Sequence, residues 1–247
     1  YGIEINDFAV TVATTALWIS EAQMIAETEK IIHHDIDFLP LRSYANIHEG
    51  NSLRTNWDSV CPKEHLDYII GNPPFVGARL MSDSQKDDMI AIFGEKWKNV
   101  GNIDYVGAWY KRACDYMKDS NIEAALVSTN SISQGEQVAN LWQPLFADGI
   151  HINFAHRTFR WDSEANLKAH VHVVVIGFSY KKHKDKFLFD NGQKIGVGNI
   201  NAYLCDAPNT FVCSRSKAIC NVPKIGIGNK PIDGGNYLFE KEEMEAF

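Results

Sequence analysis

The sequence predicts an α/β fold built around a mostly parallel sheet. Along residues 1–180, short apolar runs of strand length alternate with longer segments of helical periodicity. Such alternation is typical of parallel strands flanked by helices. Hydrophobic residues make up 45% of the 247 positions and charged residues 22%, which excludes an intrinsically disordered chain. After residue 180 the helical periodicity ends and Gly, Asn and Pro recur, so residues 181–247 are predicted to begin a second, loop-rich β module.

The first half of the chain is predicted to supply three strands and three helices. Residues 1–5 form a short apolar run, and Asn6 and Asp7 follow it as helix-capping residues. Periodicity and turn residues then predict, in order, a helix at 8–30, strands at 45–49 and 66–70, and helices at 84–93 and 104–117.

The second half is predicted to complete the sheet with an antiparallel pair. It supplies a strand at 122–128, a helix at 136–146 that Pro144 disturbs near its end, and strands at 151–154 and 171–178. Because no helix-length segment separates the last two strands, residues 155–170 are predicted to be a long loop joining an antiparallel pair.

Charge and cysteine content narrow the class of protein. The net charge of −7 argues against a surface devoted wholly to nucleic acid, although it leaves room for a local basic channel. The five cysteines are widely spaced and include no Cys-x-x-Cys pair, so no zinc site is expected, and free thiols in a cytoplasmic protein are predicted. No uninterrupted run of ~18 apolar residues is present, so no membrane span is predicted. Since the chain begins inside a predicted strand, it is expected to be part of a longer polypeptide.

The strongest chemical signal is the sequence Asn72-Pro73-Pro74-Phe75 directly after an apolar strand. Ligands of parallel α/β sheets bind beyond the carboxyl ends of the strands. The prolines restrict the backbone and offer no N–H, so the loop presents the Asn72 side-chain oxygen and the Pro73 carbonyl as fixed acceptors, with Phe75 as an apolar face beside them. This arrangement suits a planar group that carries an exocyclic amino group. The alternative interpretation is a rigid turn at the end of a strand.

The Asn-Pro-Pro-Phe loop after Asp67-Tyr-Ile-Ile70 resembles the catalytic motif of amino-group DNA methyltransferases, chiefly the N6-adenine enzymes. Further segments resemble that family's motifs in the family's order: Gly2-Ile-Glu-Ile-Asn6, Gly50-Asn51-Ser52-Leu53, Asp104-Tyr105-Val106, Ala125-Leu-Val-Ser-Thr-Asn130, and residues 154–178 with Arg157-Thr-Phe-Arg-Trp161. The pattern is most similar to large single-chain type II restriction–modification enzymes, in which methyltransferase and endonuclease share one polypeptide. The resemblance covers residues 1–180 as a catalytic core with a Rossmann-like sheet, and residues 181–247 resemble the link into the target-recognition region.

The resemblance implies S-adenosylmethionine as cofactor, double-stranded DNA with a flipped adenine as partner, and direct methyl transfer without a metal. The implied residues fall into three groups: catalytic Asn72, Pro73 and Phe75; cofactor-binding Glu4, Ile5, Asn51, Ser52 and Asn72; and substrate-binding Pro74, Phe75, Arg157 and Arg160. An acidic residue is common in the family where Asn51 stands here.

Two departures from the family pattern are visible. No Gly-rich loop of the Asp-Pro-Ala-Cys-Gly-Ser-Gly kind is present, and neither is a nuclease motif. The resemblance therefore implies a core truncated at both ends, with the N-terminal nuclease and cofactor segments of the same polypeptide as its missing partners.

Simpler structural roles remain open for the supporting residues. Glu4 could serve only as an acid at a helix N-terminus, and Asn51 could merely cap a turn. Arg157 and Arg160, in the predicted loop, could contact phosphates or simply face solvent.

Alternative functions also remain open. The chain could methylate N4 of cytosine or another amino group. It could also be a non-catalytic, DNA-binding fragment of methyltransferase type.

Overall fold

The computed structural model describes residues 1–34, 46–161, 171–215, 217–222 and 244. The chain divides into two compact units, Tyr1–Cys213 and Ser214–Phe247. All regular elements named below lie in the first unit. Its strands are β1 (Gly2–Glu4), β2 (Ile47–Glu49), β3 (Tyr68–Gly71), β4 (Glu123–Thr129), β5 (His151–Trp161), β6 (Val171–Ser179), β7 (Lys186–Asp190) and β8 (Gln193–Val197). Its helices are α1 (Asp7–Ile32), α2 (Trp57–Val60), α3 (Asp83–Phe93), α4 (Gly107–Met117), α5 (Gly135–Gln137) and α6 (Gln143–Ala147).

The described strands form two sheets. β1 and β2 pair in parallel as a two-stranded sheet, and the other strands form a six-stranded sheet in the order β3-β4-β6-β5-β7-β8. Within the larger sheet, β3–β4 and β5–β7 are parallel, while β4–β6, β5–β6 and β7–β8 are antiparallel. The α/β class and the antiparallel β5–β6 pair are confirmed, whereas a mostly parallel sheet is not confirmed among the described strands, whose pairing is mixed.

β5 is longer than the sequence predicted. The strand was expected to stop near Phe154 and a loop to follow, but β5 continues to Trp161, where it pairs with Val171. Register shifts between Ile152 and Phe154 and between His156 and Phe159 interrupt the pairing with β6. Such bulges break the two-residue alternation of side chains, which is why the polar second half of this strand resembled a loop. Of the predicted loop, residues 162–170 lie outside the described part of the chain.

Strands β7 and β8 follow the lysine-rich stretch after residue 180. β7 pairs with β5 in parallel through Phe154↔Phe187, and β8 then pairs with β7. The described residues of the predicted second module therefore include two strands of the six-stranded sheet.

The core lies between this sheet and the helices on its face. The ring of Tyr110 stacks on Phe178 with centroids 5.1 Å apart, and Trp142 packs edge-on against Tyr110 at 5.2 Å. A glycine at position 177 allows one further close approach: a Cβ built there would stand 2.0 Å from a ring carbon of Phe154 on the neighbouring strand.

The helical segment predicted at 136–146 is divided into three parts. A π-helical turn, Val138–Trp142, separates α5 from α6. Pro144 lies in the first turn of α6, where its missing N–H costs least. The irregularity thus precedes the proline, because a proline cannot donate the i→i−4 hydrogen bond that a continuous α-helix would require.

Helix α1 begins at an Asn6 cap, whose Oδ1 accepts a hydrogen bond from the Ala9 N–H at 3.0 Å. The helix contains no buried residue, and Phe8 and Met24 are among its exposed apolar side chains. Among the described residues, α1 is the one helix long and apolar enough to cross a membrane when only length and composition are considered. The sequence predicted no membrane span, because no uninterrupted apolar run of that length is present.

Candidate active site

The Asn-Pro-Pro-Phe loop leaves the carboxyl end of β3, where Gly71 pairs with Leu126 of the parallel strand β4. Asn72 is exposed, Pro73 is buried and Phe75 is half-buried. No described residue forms a hydrogen bond with the Asn72 side chain, so its oxygen and nitrogen are both available to a ligand. The loop is therefore anchored by its first proline and displays the amide ahead of it.

The continuation of this loop is tied to the segment before α4. The Ala78 N–H donates to Asp104 Oδ1 at 2.9 Å, and the Tyr105 N–H donates to the Val76 carbonyl at 2.9 Å. The Ser131 hydroxyl, beyond the end of β4, donates to Asp104 Oδ2 at 2.7 Å. Both oxygens of Asp104 are thus used to join the two loops that follow β3 and β4, which gives this residue a structural role.

Glu4 ends β1 and sits opposite Glu49 of β2. Its Oε1 accepts a hydrogen bond from the Asn6 N–H at 2.9 Å, and its carbonyl accepts one from the Gly50 N–H at 2.8 Å. One carboxylate oxygen supports the start of α1, and the other remains available, so the geometry is compatible with both interpretations offered by the sequence.

The loop after β2 is held by hydrogen bonds of three side chains, those of Asn51, Trp57 and Trp109. Asn51 Oδ1 accepts from the Leu53 N–H at 2.9 Å, and its Nδ2 donates to Asp88 Oδ2 at 3.0 Å. The indole N–H of Trp109 donates to the Ser52 hydroxyl at 2.7 Å, and that of Trp57 donates to the Ser52 carbonyl at 2.8 Å. Asn51 and Ser52 are therefore held in place before any ligand binds.

Asp88, on α3, lines the candidate site, and the sequence did not reveal it. It is 4% exposed and accepts hydrogen bonds from Arg54 Nε at 2.6 Å and the Tyr105 hydroxyl at 2.7 Å, besides the one from Asn51. Burial acts to raise the pKa of Asp88, but the hydrogen bonds from Arg54, Tyr105 and Asn51 outweigh it, so the net shift is downward and the carboxylate is ionised at neutral pH. A polar helix with several carboxylates gave no sign of which one would be buried.

These elements enclose a cavity of about 710 Å³. Of the residues predicted to form the site, seven line it: Glu4, Ile5, Asn51, Ser52, Asn72, Pro73 and Pro74. Asp88, Tyr105 and Trp109 line it as well. The rings of Tyr105 and Trp109 meet edge-on with centroids 5.0 Å apart and supply an aromatic wall. One cavity therefore joins the acidic end of β1, the amide loop after β2 and the proline loop after β3.

Three predicted site residues do not line the cavity. Phe75 lies beyond the two prolines, outside the lining. Arg157 and Arg160 were predicted in a loop, but both lie on β5; Arg157 pairs with Asp190 at 2.9 Å and Arg160 is in register with His172 of β6. The extension of β5 past its bulges is what carries these arginines into a strand.

A mixed α/β sheet with a proline-rich amide loop and a cavity at the strand ends is the arrangement typical of DNA methyltransferases. Residues 1–190 match the family model described as "MmeI, DNA-methyltransferase domain", and residues 206–247 match "MmeI, target recognition domain". The chain belongs to the MmeI DNA-methyltransferase family.

Two relatives show the same likeness. The chain is 44% identical over 243 residues to "DNA methyltransferase A" of Bacillus subtilis (strain 168), covering 97% of this chain and 28% of that protein. It is also similar to the solved structure of the type IIL restriction–modification enzyme MmeI in complex with DNA, with a TM-score of 0.90, 40% identity, and coverage of 100% of this chain and 34% of that one. The chain thus spans about a third of the length of these relatives.

Proposed function

We propose that this chain is the catalytic region of an S-adenosylmethionine-dependent enzyme that methylates N6 of adenine at a specific DNA site, as part of a restriction–modification system. The observation that supports this most is the Asn72-Pro73-Pro74 loop, which lines the same cavity as Glu4 and Asn51. A cofactor held by Glu4 and Asn51 would present its reactive end to the Asn72-Pro73-Pro74 loop.

The residues of the cavity fit S-adenosylmethionine. The cavity lies within the ~300–1,000 Å³ typical of small-molecule sites. Hydroxyl groups of a ribose need acceptors such as the available oxygen of Glu4, and an adenine ring needs polar edge contacts and apolar faces, which Asn51 and the aromatic wall of Tyr105 and Trp109 offer. When bound, the cofactor supplies a methyl group that leaves its sulfonium for the target nitrogen, and that nitrogen loses a proton.

The contribution of the protein itself is positioning. Asn72 Oδ1 and the Pro73 carbonyl accept hydrogen bonds from the target amino group and aim its nitrogen lone pair at the methyl carbon. The prolines restrict the backbone there, and Asp104 ties the remainder of the loop to the neighbouring strand end, so few degrees of freedom remain to be frozen during the reaction. No covalent nucleophile or metal ion is needed.

The partner in this proposal is double-stranded DNA with the target adenine flipped out of the stack. Phe75 and Pro74 contact the flipped base, while Arg157 and Arg160 face the DNA backbone. The proposed division of labour assigns catalysis to residues 1–180 and the link to target recognition to 181–247. N-terminal nuclease and cofactor segments of the same cytoplasmic polypeptide complete the enzyme, and no membrane takes part.

The test uses the natural full-length protein, tritium-labelled cofactor and DNA digested to nucleosides. We expect label in N6-methyladenine for the parent, and a rate lower by ~10²–10³ for Asn72→Ala with cofactor affinity nearly unchanged, since one preorganised acceptor is lost. Asn121→Ala is the matched control, because Asn121 is an exposed loop residue just before β4. It therefore lies at the amino end of the parallel β3–β4 pair, whereas Asn72 lies at the carboxyl end.

The rival functions give different results in the same assay. Label in N4-methylcytosine would show that the target base is cytosine and not adenine. Absence of label in any nucleoside, with DNA binding retained, would indicate a non-catalytic protein. Equal rates for the parent and Asn72→Ala would reduce the asparagine to a turn residue.

A further inference from the structure

We infer that Asp88 is a positioning residue for cofactor binding: it orients the amide of Asn51 so that the Asn51 oxygen faces the cavity as an acceptor, and its charge makes a second acid at position 51 incompatible with the site. The inference rests on the proposed function, since it concerns how the site holds S-adenosylmethionine.

Two independent contacts determine how the Asn51 amide is oriented. The backbone N–H of Leu53 can only donate, so the group 2.9 Å away must be Oδ1. The ionised carboxylate of Asp88 can only accept, so the group 3.0 Å away must be Nδ2. A flipped amide would place donor against donor and acceptor against acceptor.

This orientation leaves a defined binding feature. An amide oxygen has two acceptor positions, of which Leu53 uses one. Asn51 is half-buried in the cavity wall, so the second position is available to a donor such as the exocyclic amino group of an adenine ring. Without Asp88, the amide would lose the contact that fixes its nitrogen and could rotate.

The charge of the pair is as important as its geometry. An aspartate at position 51 would place a second carboxylate against one that is already 4% exposed, and like charges at that distance do not both ionise readily. Arg54 is the cation that contacts Asp88, at 2.6 Å, and its side chain is 59% exposed, so it balances the single buried charge.

Exchanging the two residues should restore the arrangement. With Asn51→Asp and Asp88→Asn combined, the amide at position 88 donates to the carboxylate at 51 and can direct its second N–H to the hydroxyl oxygen of Tyr105. The site then again contains one carboxylate and one amide in contact, whereas either single change gives a pair of acids or a pair of amides.

The experiment compares the parent, Asn51→Asp, Asp88→Asn and the double variant in the natural full-length protein. Readouts are the Kd for S-adenosylmethionine by calorimetry, the Tm without ligand, and kcat and KM separately. Each single change should weaken cofactor binding ~5–150-fold, the effect of leaving a buried polar group without its partner, and raise KM with kcat near the parent value. The double variant should bind within about threefold of the parent, on the scale of non-additivity found for residues in direct contact.

Asp87→Asn is the control, because Asp87 is the exposed neighbour of Asp88 on α3. This variant should bind the cofactor as tightly as the parent does. The inference is overturned if Asp88→Asn binds the cofactor like the parent, or if the two single effects simply add in the double variant. In either case, methyl transfer by the parent leaves the proposed function standing. If the parent binds no S-adenosylmethionine, both fail together; coupling that is then seen in Tm alone assigns the pair a purely structural role.

Discussion

Phe75 is separated from the cofactor cavity by the two prolines that precede it, and this placement yields an expectation about binding. Phe75→Ala should weaken binding of the DNA target ~5–150-fold, since stacking of a base on an aromatic ring is worth ~1–3 kcal/mol. Phe75→Trp should retain most of the affinity. Fluorescence anisotropy with target DNA and calorimetry with cofactor separate the two ligands. A parallel loss of cofactor affinity would place Phe75 in the cavity instead.

Lys186 offers a second test at the level of a single side chain. It is 1% exposed, and its Nζ donates to the Ile152 carbonyl at 2.6 Å. Burial, with Lys182 adding to it, lowers the pKa of Lys186. Between the lowered pKa and the usual ~10.4, the unfolded chain binds a proton that the folded chain does not, so stability rises with pH in that window.

Lys186→Met removes both the buried charge and the hydrogen bond to the Ile152 carbonyl. Because desolvating a charge costs more than one hydrogen bond contributes, the free energy of unfolding at pH 7 should rise by about 1 kcal/mol. The advantage over the parent should shrink as the pH approaches 10. Urea unfolding at the two pH values measures both effects. Lys184→Met, at an exposed position of the same stretch, should show neither, and a gain that grows with pH would contradict the assignment.

The pairing of β5 with β6 depends on Gly177, because the Phe154 ring occupies the space of the missing side chain. Gly177→Ala should lower the free energy of unfolding by about 1–3 kcal/mol, the usual cost of overpacking. Adding Phe154→Ala removes the ring and should make the alanine at 177 nearly neutral. Thermal unfolding of the single and double variants measures both effects. If Gly177→Ala lowers the free energy of unfolding equally with Phe154 and with alanine at position 154, the ring is not the obstacle.

The elements that the sequence predicted well are those with a clear local signal. β3 and β4 follow apolar runs, and α3 and α4 follow helical spacing. β5 was underestimated because its second half is polar and its bulges break the alternation, and β7 and β8 were not resolved because they follow a charged stretch. A strand that owes its position to a partner far along the chain carries little local signal.

The candidate site divides in the same way. Glu4, Asn51 and Asn72 could be predicted because each directly follows a strand, and the carboxyl ends of strands converge. Asp88 could not, since only the packing of α3 distinguishes it from its exposed neighbour Asp87. Of the aromatic wall, Tyr105 was visible only within the motif Asp104-Tyr105-Val106, and nothing in the sequence marked Trp109 as part of the site.

At the scale of the whole molecule, the cavity lies between two sheets that share no strand pairing among the described residues. Its wall draws on β1 and the loop after β2 from one sheet, and on β3 and its loop from the other. A ligand bound there should therefore stabilise both sheets at once. At a ligand concentration of 100 times Kd, binding adds ~2.7 kcal/mol to the free energy of unfolding. Amides that exchange only when the site opens should then exchange ~100-fold more slowly.

Hydrogen exchange followed by mass spectrometry with and without S-adenosylmethionine tests this expectation. Slower exchange should be found in peptides covering both β1 and β3. Amides of the β7–β8 hairpin, which contributes no residue to the cavity lining, provide the internal reference. Protection limited to one of the two sheets would mean that the ligand binds on one side only.

The link between the loops after β3 and β4 predicts an unusual pattern of tolerated substitutions. Asp104 recognises position 78 through the backbone nitrogen, a group that every amino acid except proline possesses. In a saturation library selected for methylation, position 78 should therefore accept a range of small side chains and reject proline. Position 104 should accept only aspartate and asparagine, because an asparagine keeps its oxygen for the Ala78 N–H and turns its Nδ2 toward Ser131, whose hydroxyl can accept as well as donate. Among small residues, position 78 would then exclude proline alone, whereas position 104 would be limited to two residues, and both restrictions would follow from a single pair of hydrogen bonds.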